Sequence, residues 1–186
     1  MVVANTIPIP NGVTLVSGPS RGGKSRWAEH LVKQFKSVTY IATSPRRASD
    51  QNWEQRLEKH RNRRPKHWSV IESGPDLKKA IIQMPRSDVV LIEALGGFVA
   101  WHLDQPSSNW RALKNDLLQT IKHHDASIVI VIEETGWGVV PSTSNGGLFR
   151  DRLGKLSQEL EPLASNSWLV IQGRALNLKQ LGIAVP

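Results

Sequence analysis

The fold is decided by the stretch Gly18-Pro19-Ser20-Arg21-Gly22-Gly23-Lys24-Ser25, which fits the phosphate-binding loop pattern GxxxxGK(S/T) at every fixed position. A short apolar run before it, residues 13–17, predicts a strand, and residues 24–36 after it predict a helix. Glycines let the backbone fold around a phosphate without Cβ clashes, and the N-terminus of the following helix adds partial positive charge. The loop therefore predicts a binding site for a nucleoside triphosphate.

Two side chains of the loop have separate expected roles. Lys24 would reach the β- and γ-phosphates, and Ser25 would bind Mg²⁺. A second candidate for the ion is Glu93, which ends the apolar run 88–93, because phosphate-loop proteins carry an acid at this place to hold Mg²⁺. That acid is usually Asp, and the alternative role for Glu93 is a cap on the following helix. We expect a magnesium site formed by Ser25 and Glu93.

Short apolar runs and helical patterns alternate along the rest of the chain. The apolar runs are nearly continuous, as in parallel strands buried on both faces. They cover residues 38–43, 68–72, 89–94, 128–133 and 168–172. The helical patterns cover residues 24–36, 50–64, 75–84, 108–124 and 147–164. This alternation predicts an α/β, three-layer fold of the P-loop NTPase type with a mainly parallel central sheet, and ligands bind at the carboxyl ends of such strands.

Length and composition limit the class of protein. The 186 residues suit one domain, with residues 1–12 as a flexible tail and residues 13–186 as a single nucleotide-binding domain. The absence of cysteine excludes disulfides, thiolate metal sites and a cysteine nucleophile. We find neither a secretory leader nor an apolar run long enough for a membrane helix. We therefore expect a cytoplasmic protein that has no membrane partner.

The net charge of +8 is concentrated between residues 46 and 66, where eight Lys and Arg residues accompany three acids. Such a cluster attracts polyanions, and nucleotide phosphates account for it without a nucleic acid partner. His60 lies within it, and on a helix Arg56, Arg63 and Arg64 would flank the same face. Neighbouring guanidinium groups favour a neutral imidazole, which is a competent nucleophile toward phosphorus. Composition alone favours a simpler interpretation, a solvated basic helix with an incidental histidine.

A glycine-rich segment, residues 133–141, follows the apolar run 128–132. Gly136 and Gly138 flank Trp137, which makes a flexible loop with an aromatic tip at the carboxyl end of a predicted strand. Loops at this place often carry ligand contacts. The alternative is an ordinary connection whose tryptophan belongs to the core.

An ordered set of motifs resembles the bifunctional adenosylcobinamide kinase / adenosylcobinamide-phosphate guanylyltransferase family of cobalamin synthesis. The phosphate loop is common to many families, whereas the order of the other motifs is specific. The resemblance runs from about Val13 to Lys179. The matching pieces are Lys24-Ser25-Arg26, Ala28-Glu29, Tyr40-Ile41-Ala42-Thr43, the Arg-rich segment 56–65 with Trp68, Gly136 to Pro141, and Phe149-Arg150-Asp151 with Gly154.

The resemblance implies two activities. One phosphorylates the aminopropanol arm of adenosylcobinamide with ATP or GTP, and the other transfers GMP from GTP to that phosphate through a GMP–histidine intermediate. His60 resembles the guanylylated histidine, although Lys59 stands where some members have an adjacent histidine. The remaining positions that match nucleotide contacts are Ser44, Pro45, Arg46, Arg61, Asn62, Arg63, Arg64, Glu72 and Glu93. A homotrimer with a shared active site is also implied.

The chain departs from the family pattern outside the phosphate loop. Glu133 stands where members usually have Asn, Ser157 replaces another Asn, and Gly147 lies in a segment from which an expected Arg is missing. Of the acidic pair after the second strand, only Asp50 remains nearby. These changes lie toward the corrinoid side or the subunit contact. Two alternatives follow: another P-loop kinase for a small hydroxyl substrate, or a degenerate GTP-binding protein without transferase activity.

Overall fold

The computed structural model describes residues 9, 11–45, 55, 58 and 61–185, and these contain one seven-stranded sheet. In chain order its strands are β1 (Val13–Gly18), β2 (Val38–Ala42), β3 (Ser69–Glu72), β4 (Val89–Glu93), β5 (Ser127–Glu133), β6 (Ala164–Ile171) and β7 (Arg174–Asn177). Across the sheet the order is β3-β2-β4-β5-β1-β6-β7. The strands pair in parallel except for β6 and β7, which form an antiparallel hairpin.

Helices connect the parallel strands. They are α1 (Lys24–Val32), α2 (Leu77–Gln83), α3 (Leu95–Trp101), α4 (Ser107–Lys122), α5 (Ser144–Leu160) and α6 (Leu178–Leu181), with a 3₁₀ turn at Glu161–Leu163. Residues 61–63 are also helical. Asp76 and Thr143 cap α2 and α5, because each side chain accepts a backbone N–H from the first helical turn.

The central strands divide the core into two clusters, one on each face of the sheet. In β4, Val90 and Ile92 belong to one cluster, and Val89 and Leu91 belong to the other. This division follows from the alternation of side chains along a strand. Buried side chains of α2, α3, α4 and α5 join the first cluster, whereas those of α1 join the second. The predicted three-layer α/β fold with a mainly parallel sheet is confirmed.

Some element boundaries differ from the prediction. The helix predicted to reach residue 164 ends at Leu160, where a short 3₁₀ turn containing Pro162 precedes β6. Strand β6 consequently begins at Ala164, four residues before the predicted run. Strand β7 has four residues and α3 contains Gly96 and Gly97, so neither has a periodic pattern long enough to predict.

The start of the described chain is attached to the sheet. Gly12 O accepts the N–H of Ile128 at 2.9 Å, and Asn11 O accepts the hydroxyl of Ser165 at 3.2 Å. Residues 11 and 12 are therefore attached to the sheet, whereas residues 1–8 and 10 lie outside the described part of the chain, and the flexible tail stays a prediction. The assignment of residues 13–186 to a single domain stays a prediction. In the described part, we find no helix with the length and apolar character needed to span a membrane.

Candidate active site

The phosphate loop begins at the end of β1 and packs closely against β6. A Cβ atom at Gly18 would lie 2.2 Å from Val170 O, and one at Gly22 would lie 2.6 Å from the same oxygen. Gly22 N donates to Pro19 O at 3.2 Å, which closes a turn inside the loop. Glycine is therefore required at both positions by the neighbouring strand as well as by the shape of the turn.

Lys24 is the first residue of α1, and its side chain is buried against the loop. Its Nζ donates to Pro19 O at 2.8 Å. The ammonium group therefore lies over the loop that precedes it, and its contact with the phosphates stays a prediction. A phosphate oxygen would be a stronger partner than this carbonyl because the hydrogen bond would then join two charged groups.

Ser25 and Glu93 meet as the sequence predicted. Ser25 Oγ donates to Glu93 Oε1 at 2.6 Å. The other oxygen, Glu93 Oε2, is buried and has no hydrogen-bond partner among the described residues. Burial raises the pKa of Glu93 to about 7, with Glu133 and Glu29 adding to the rise and the Ser25 hydrogen bond and Lys24 opposing it. A buried carboxyl group with one unused oxygen can accept either a proton or a cation.

These two side chains fit a magnesium ion. A hydroxyl oxygen and a carboxylate oxygen are the hard ligands that Mg²⁺ prefers, and substrate phosphates and water usually complete its coordination. The described residues contain no group of three or more acidic, histidine or cysteine side chains able to hold a metal by themselves. Any Mg²⁺ at Ser25 and Glu93 would therefore depend on the nucleotide for its remaining ligands.

A second acid, Glu133, ends the neighbouring strand β5. Its Oε2 accepts the N–H of Gly96 at 2.9 Å, in the first turn of α3. Since α3 starts two residues after Glu93, this hydrogen bond attaches the β4–α3 connection to the end of β5. The sequence analysis noted Glu133 as a departure from the family pattern and as the first residue of the segment 133–141, and no local motif signalled its contact with Gly96.

The basic segment is attached to the phosphate-loop helix by an ion pair. Arg63 Nε and Nη2 each donate to a carboxylate oxygen of Glu29 on α1, both at 3.0 Å. Glu29 is buried, and its hydrogen bonds raise the pKa of Arg63. The sequence analysis did not include Glu29 in the site. Glu29 lies between Ala28 and Leu31 on the buried face of α1, and an acid at such a position indicates a buried partner of opposite charge.

Arg64 attaches the same segment to strand β2. Its guanidinium carbon lies 4.0 Å from the ring centroid of Tyr40, a cation–π distance. Tyr40 is buried, and burial together with the charge of Glu93 raises the pKa of its hydroxyl. Arg63 and Arg64 therefore both make intramolecular contacts, which hold residues 63 and 64 against α1 and β2.

The other predicted site residues follow neighbouring strands or lie on the surface. Ser44 and Pro45 follow β2 and are partly buried, and Glu72 ends β3 on the surface. Ala42 pairs with both Glu72 and Glu93, so these strand ends lie side by side. Arg61 and Asn62 are exposed. His60 and Arg46 lie outside the described residues, so their predicted roles stay predictions.

The fold resembles those of solved structures that have little sequence in common with this chain. A prototypical ATPase from the type III secretion system of pathogenic bacteria matches 95% of this chain and 59% of its own chain, with a TM-score of 0.60 and 7% sequence identity. A protein from Pyrococcus horikoshii OT3 matches 93% of this chain and 88% of its own, with a TM-score of 0.53 and 5% identity. At these identities the likeness concerns the fold alone.

Relatives found by sequence identify a family more specifically than the structural neighbours do. The bifunctional adenosylcobalamin biosynthesis protein CobU of Escherichia coli (strain K12) is 33% identical over 180 residues, covering 89% of this chain and 98% of the relative. The protein of the same name from Salmonella typhimurium is 31% identical with the same coverage. The bifunctional adenosylcobalamin biosynthesis protein CobP of Pseudomonas aeruginosa is 30% identical, covering 89% of this chain and 96% of its own.

The family model described as cobinamide kinase / cobinamide phosphate guanyltransferase matches residues 14–178. This range includes the phosphate loop, Glu93, Glu133 and the basic segment, and it agrees with the resemblance found in the sequence. The chain therefore belongs to the cobinamide kinase / cobinamide phosphate guanyltransferase family.

Proposed function

We propose that this chain catalyses two steps of cobalamin biosynthesis: the phosphorylation of adenosylcobinamide with ATP or GTP, and the transfer of GMP from GTP to the product. Family membership supports both steps. The observation that carries the proposal is the contact between Ser25 and Glu93, at 2.6 Å, beside the buried Lys24. It brings the two proposed Mg²⁺ ligands together, and Lys24 precedes Ser25 in the chain, which supports a site for a Mg²⁺–nucleotide at the carboxyl edge of the sheet.

In the kinase step, the chain acts mainly by positioning and by charge. The backbone N–H groups of the loop hold the phosphates, and Lys24 stabilises the negative charge that spreads over the transferred phosphoryl group. Ser25 Oγ and the Glu93 carboxylate would hold Mg²⁺, which when bound neutralises the β- and γ-phosphate oxygens. The substrate hydroxyl oxygen attacks the γ-phosphorus, the bond between that phosphorus and the β–γ bridging oxygen breaks, and the nucleoside diphosphate leaves. The proton of the hydroxyl group passes to a phosphate oxygen or to water.

In the transferase step, His60 is the proposed nucleophile. Its neutral ring nitrogen attacks the α-phosphorus of GTP, a nitrogen–phosphorus bond forms, and pyrophosphate leaves. A phosphate oxygen of adenosylcobinamide phosphate then attacks the same phosphorus and releases the histidine. The contacts of Arg63 with Glu29 and of Arg64 with Tyr40 support this role, because they hold the chain next to His60 against α1 and β2. The exposed Arg61 and Asn62 are proposed to contact the nucleotide.

The test of the transferase step is covalent labelling. The pure protein is incubated with Mg²⁺ and GTP that carries ³²P at the α-phosphate, and acid-labile, base-stable label on the protein is then measured. We expect label on the wild type and none on His60→Ala. The matched control is His67→Ala, which removes an exposed histidine just after the basic segment and should leave labelling unchanged.

The kinase step is tested separately, by transfer of the γ-phosphate of ATP to adenosylcobinamide. If the wild type is not labelled but still phosphorylates adenosylcobinamide, the proposed transferase step is wrong and the proposed kinase step stands. A wild type that binds GTP and shows neither activity would favour the degenerate GTP-binding alternative. Phosphorylation of another small hydroxyl substrate, but not of adenosylcobinamide, would favour a different P-loop kinase.

We further propose that the chain works in the cytoplasm as a homotrimer, as the family resemblance implies. Exposed apolar side chains support an association surface: Trp137, Val139 and Val140 in the loop after β5 are 59%, 94% and 68% exposed. Light scattering after gel filtration should give three times the mass of one chain. Val139→Asp should lower that mass, whereas Ile82→Asp, at an exposed apolar position elsewhere, should not. A monomeric wild type would contradict this assignment.

A further inference from the structure

Trp101, the last residue of α3, makes a hydrogen bond that attaches this helix to the carboxyl end of β2. Its indole Nε1 donates to Thr43 O at 2.9 Å, and its side chain is partly exposed, at 40%. The motifs found in the sequence do not include Trp101. Because α3 follows Glu93 closely, the contact joins the β4–α3 connection to the neighbouring strand.

Thr43 is buried, and two further hydrogen bonds hold it. Its N–H donates to Glu93 O at 3.1 Å, which extends the pairing of β2 with β4 by one residue, and its hydroxyl donates to Ala94 O. The N–H, hydroxyl and carbonyl groups of Thr43 are therefore all bonded to the β4–α3 unit. The bond to the carbonyl is the one that a side-chain substitution on α3 can remove.

Helix α3 also packs closely against the chain that leaves β2. A Cβ atom at Gly97 would lie 2.8 Å from Ser44 N and closer still to Thr43 Oγ1. Glycine at this position therefore allows the close approach of α3. Together with the bond from Trp101, this packing holds Thr43 and Ser44 against α3.

The residues held in this way begin the segment that is proposed to serve the transferase step. Ser44 and Pro45 match nucleotide contacts of the family, and the chain then continues to Arg46 and His60, which lie outside the described residues. The attachment at Thr43 is therefore the last described contact before the proposed nucleophile.

The other end of the same segment is attached nearby. Arg64 contacts the ring of Tyr40, which precedes Thr43 by three residues. Three residues of a strand span about 10 Å. Both ends of the segment with His60 are therefore attached near the same end of β2, one through Trp101 and one through Arg64.

We propose that Trp101 is a positioning residue for the transferase step, because its N–H fixes the start of the segment that carries His60. The inference rests on the proposed function, which assigns guanylylation of His60 to this chain. The kinase site depends less on this bond, since Glu93 is also held by the pairing of β4 with β2 and by Ser25.

The test compares two variants that each lose one hydrogen bond to a backbone carbonyl. Trp101→Phe keeps an aromatic ring and removes the N–H donor. The control, His102→Phe, changes the next residue, whose Nε2 lies 2.8 Å from Pro75 O in the connection between β3 and α2. Only the first variant loses a contact at the start of the segment with His60.

Two activities are measured on the full chain. With saturating Mg²⁺ and GTP that carries ³²P at the α-phosphate, we expect Trp101→Phe to be labelled about tenfold more slowly than wild type, because small displacements of a reacting group lower rates steeply. His102→Phe should be labelled at the wild-type rate. Both variants should retain the wild-type rate of γ-phosphate transfer from ATP to adenosylcobinamide.

A third measurement reports on the segment without any reaction. Trypsin cleaves after Lys and Arg, and residues 46–59 contain four such sites. In the absence of nucleotide, cleavage within residues 46–59 should be several-fold faster in Trp101→Phe than in His102→Phe, because proteolysis follows the population of locally opened chain.

The results that would overturn the inference are distinct from those that would overturn the proposed function. If Trp101→Phe is labelled at the wild-type rate, loses both activities equally, or is cleaved no faster than His102→Phe, Trp101 does not position the segment, and the proposed function stands. If the wild type is not labelled, the proposed transferase step is wrong, and the positioning role is wrong with it.

Discussion

Ser25 and Glu93 are 68 positions apart in the chain, and the hydroxyl of the first donates a 2.6 Å hydrogen bond to the carboxylate of the second. Ser25 lies in the first turn of α1 and Glu93 ends β4, so the contact joins the phosphate-loop helix to a strand that is distant in the sequence. The buried second oxygen of Glu93, which has no protein partner in the described part of the chain, is where a cation would gain most.

Replacing Glu93 with Gln should reduce kinase activity by about 100-fold or more, since an amide is a poor substitute for a carboxylate at a site that stabilises transferred charge. The measurement is the initial rate of γ-phosphate transfer as a function of Mg²⁺ concentration, and the variant should need more Mg²⁺. Asp104→Asn, which removes an exposed carboxylate, is the control. Equal Mg²⁺ requirements in wild type and Glu93→Gln would exclude Glu93 from the metal site.

The raised pKa of Glu93 predicts a pH dependence of folding stability in the metal-free protein. The folded chain holds the Glu93 proton up to a pKa of about 7, against an ordinary value of 4.5, so this group favours the folded state most at low pH. That contribution is lost as pH rises from about 4.5 to 7. In calorimetry with a chelator present, the melting temperature of wild type relative to Glu93→Gln should therefore fall between pH 4.5 and 8. If the difference in melting temperature between wild type and Glu93→Gln does not change over this pH range, the pKa of Glu93 is not raised in the folded chain.

Arg63→Ala should destabilise the chain by about 2 kcal/mol, because it leaves the buried carboxylate of Glu29 without this guanidinium partner. The expected cost is below the range for fully buried pairs because the Arg63 side chain is 36% exposed. Urea unfolding measures the change. The control is Arg61→Ala, which removes an exposed arginine from the same segment. Its free energy of unfolding should be within about 0.5 kcal/mol of the wild-type value.

Arg63→Ala should also reduce guanylylation of His60 by more than it reduces kinase activity, because the ion pair holds the segment that carries His60. Equal losses in the two assays would show that Arg63 stabilises the fold without positioning that segment.

Glu133 should influence Glu93 through charge, and α3 through its hydrogen bond. Glu133→Gln keeps an acceptor for Gly96 N but removes a negative charge that raises the pKa of Glu93, so the acidic limb of the kinase pH profile should move to lower pH. Glu133→Ala also removes the hydrogen bond to Gly96 N, so its free energy of unfolding should be about 1 kcal/mol lower than that of the wild type. Identical pH profiles in wild type and Glu133→Gln would rule out the electrostatic effect.

Local patterns were sufficient to predict the strand, loop and helix around residues 18–25 and the parallel strands, and they named Ser25 and Glu93, which the structure brings into contact. Each of these features follows from a short motif or from continuous burial of a strand on both faces. The contact of Glu29 with Arg63 had no such signal, because it joins residues 34 positions apart on elements whose packing only the folded chain defines.

Short elements were the other failure of prediction. Strand β7 and helix α3 depend more on contacts with neighbouring elements than on their own residue preferences. Strand β7 pairs along β6, and Glu133 accepts a hydrogen bond from the first turn of α3.

The carbonyl oxygen of Val170 lies so close to Gly18 and Gly22 that no larger residue fits at either position. Two of the glycines in the loop are therefore needed to assemble β1 beside β6, whether or not a nucleotide ever binds. A relative that had lost every catalytic activity would still have to keep them in order to fold. In such a relative, retained glycines would indicate only that the chain folds. Lys24, Ser25 and Glu93 would indicate whether the chain still binds a nucleotide.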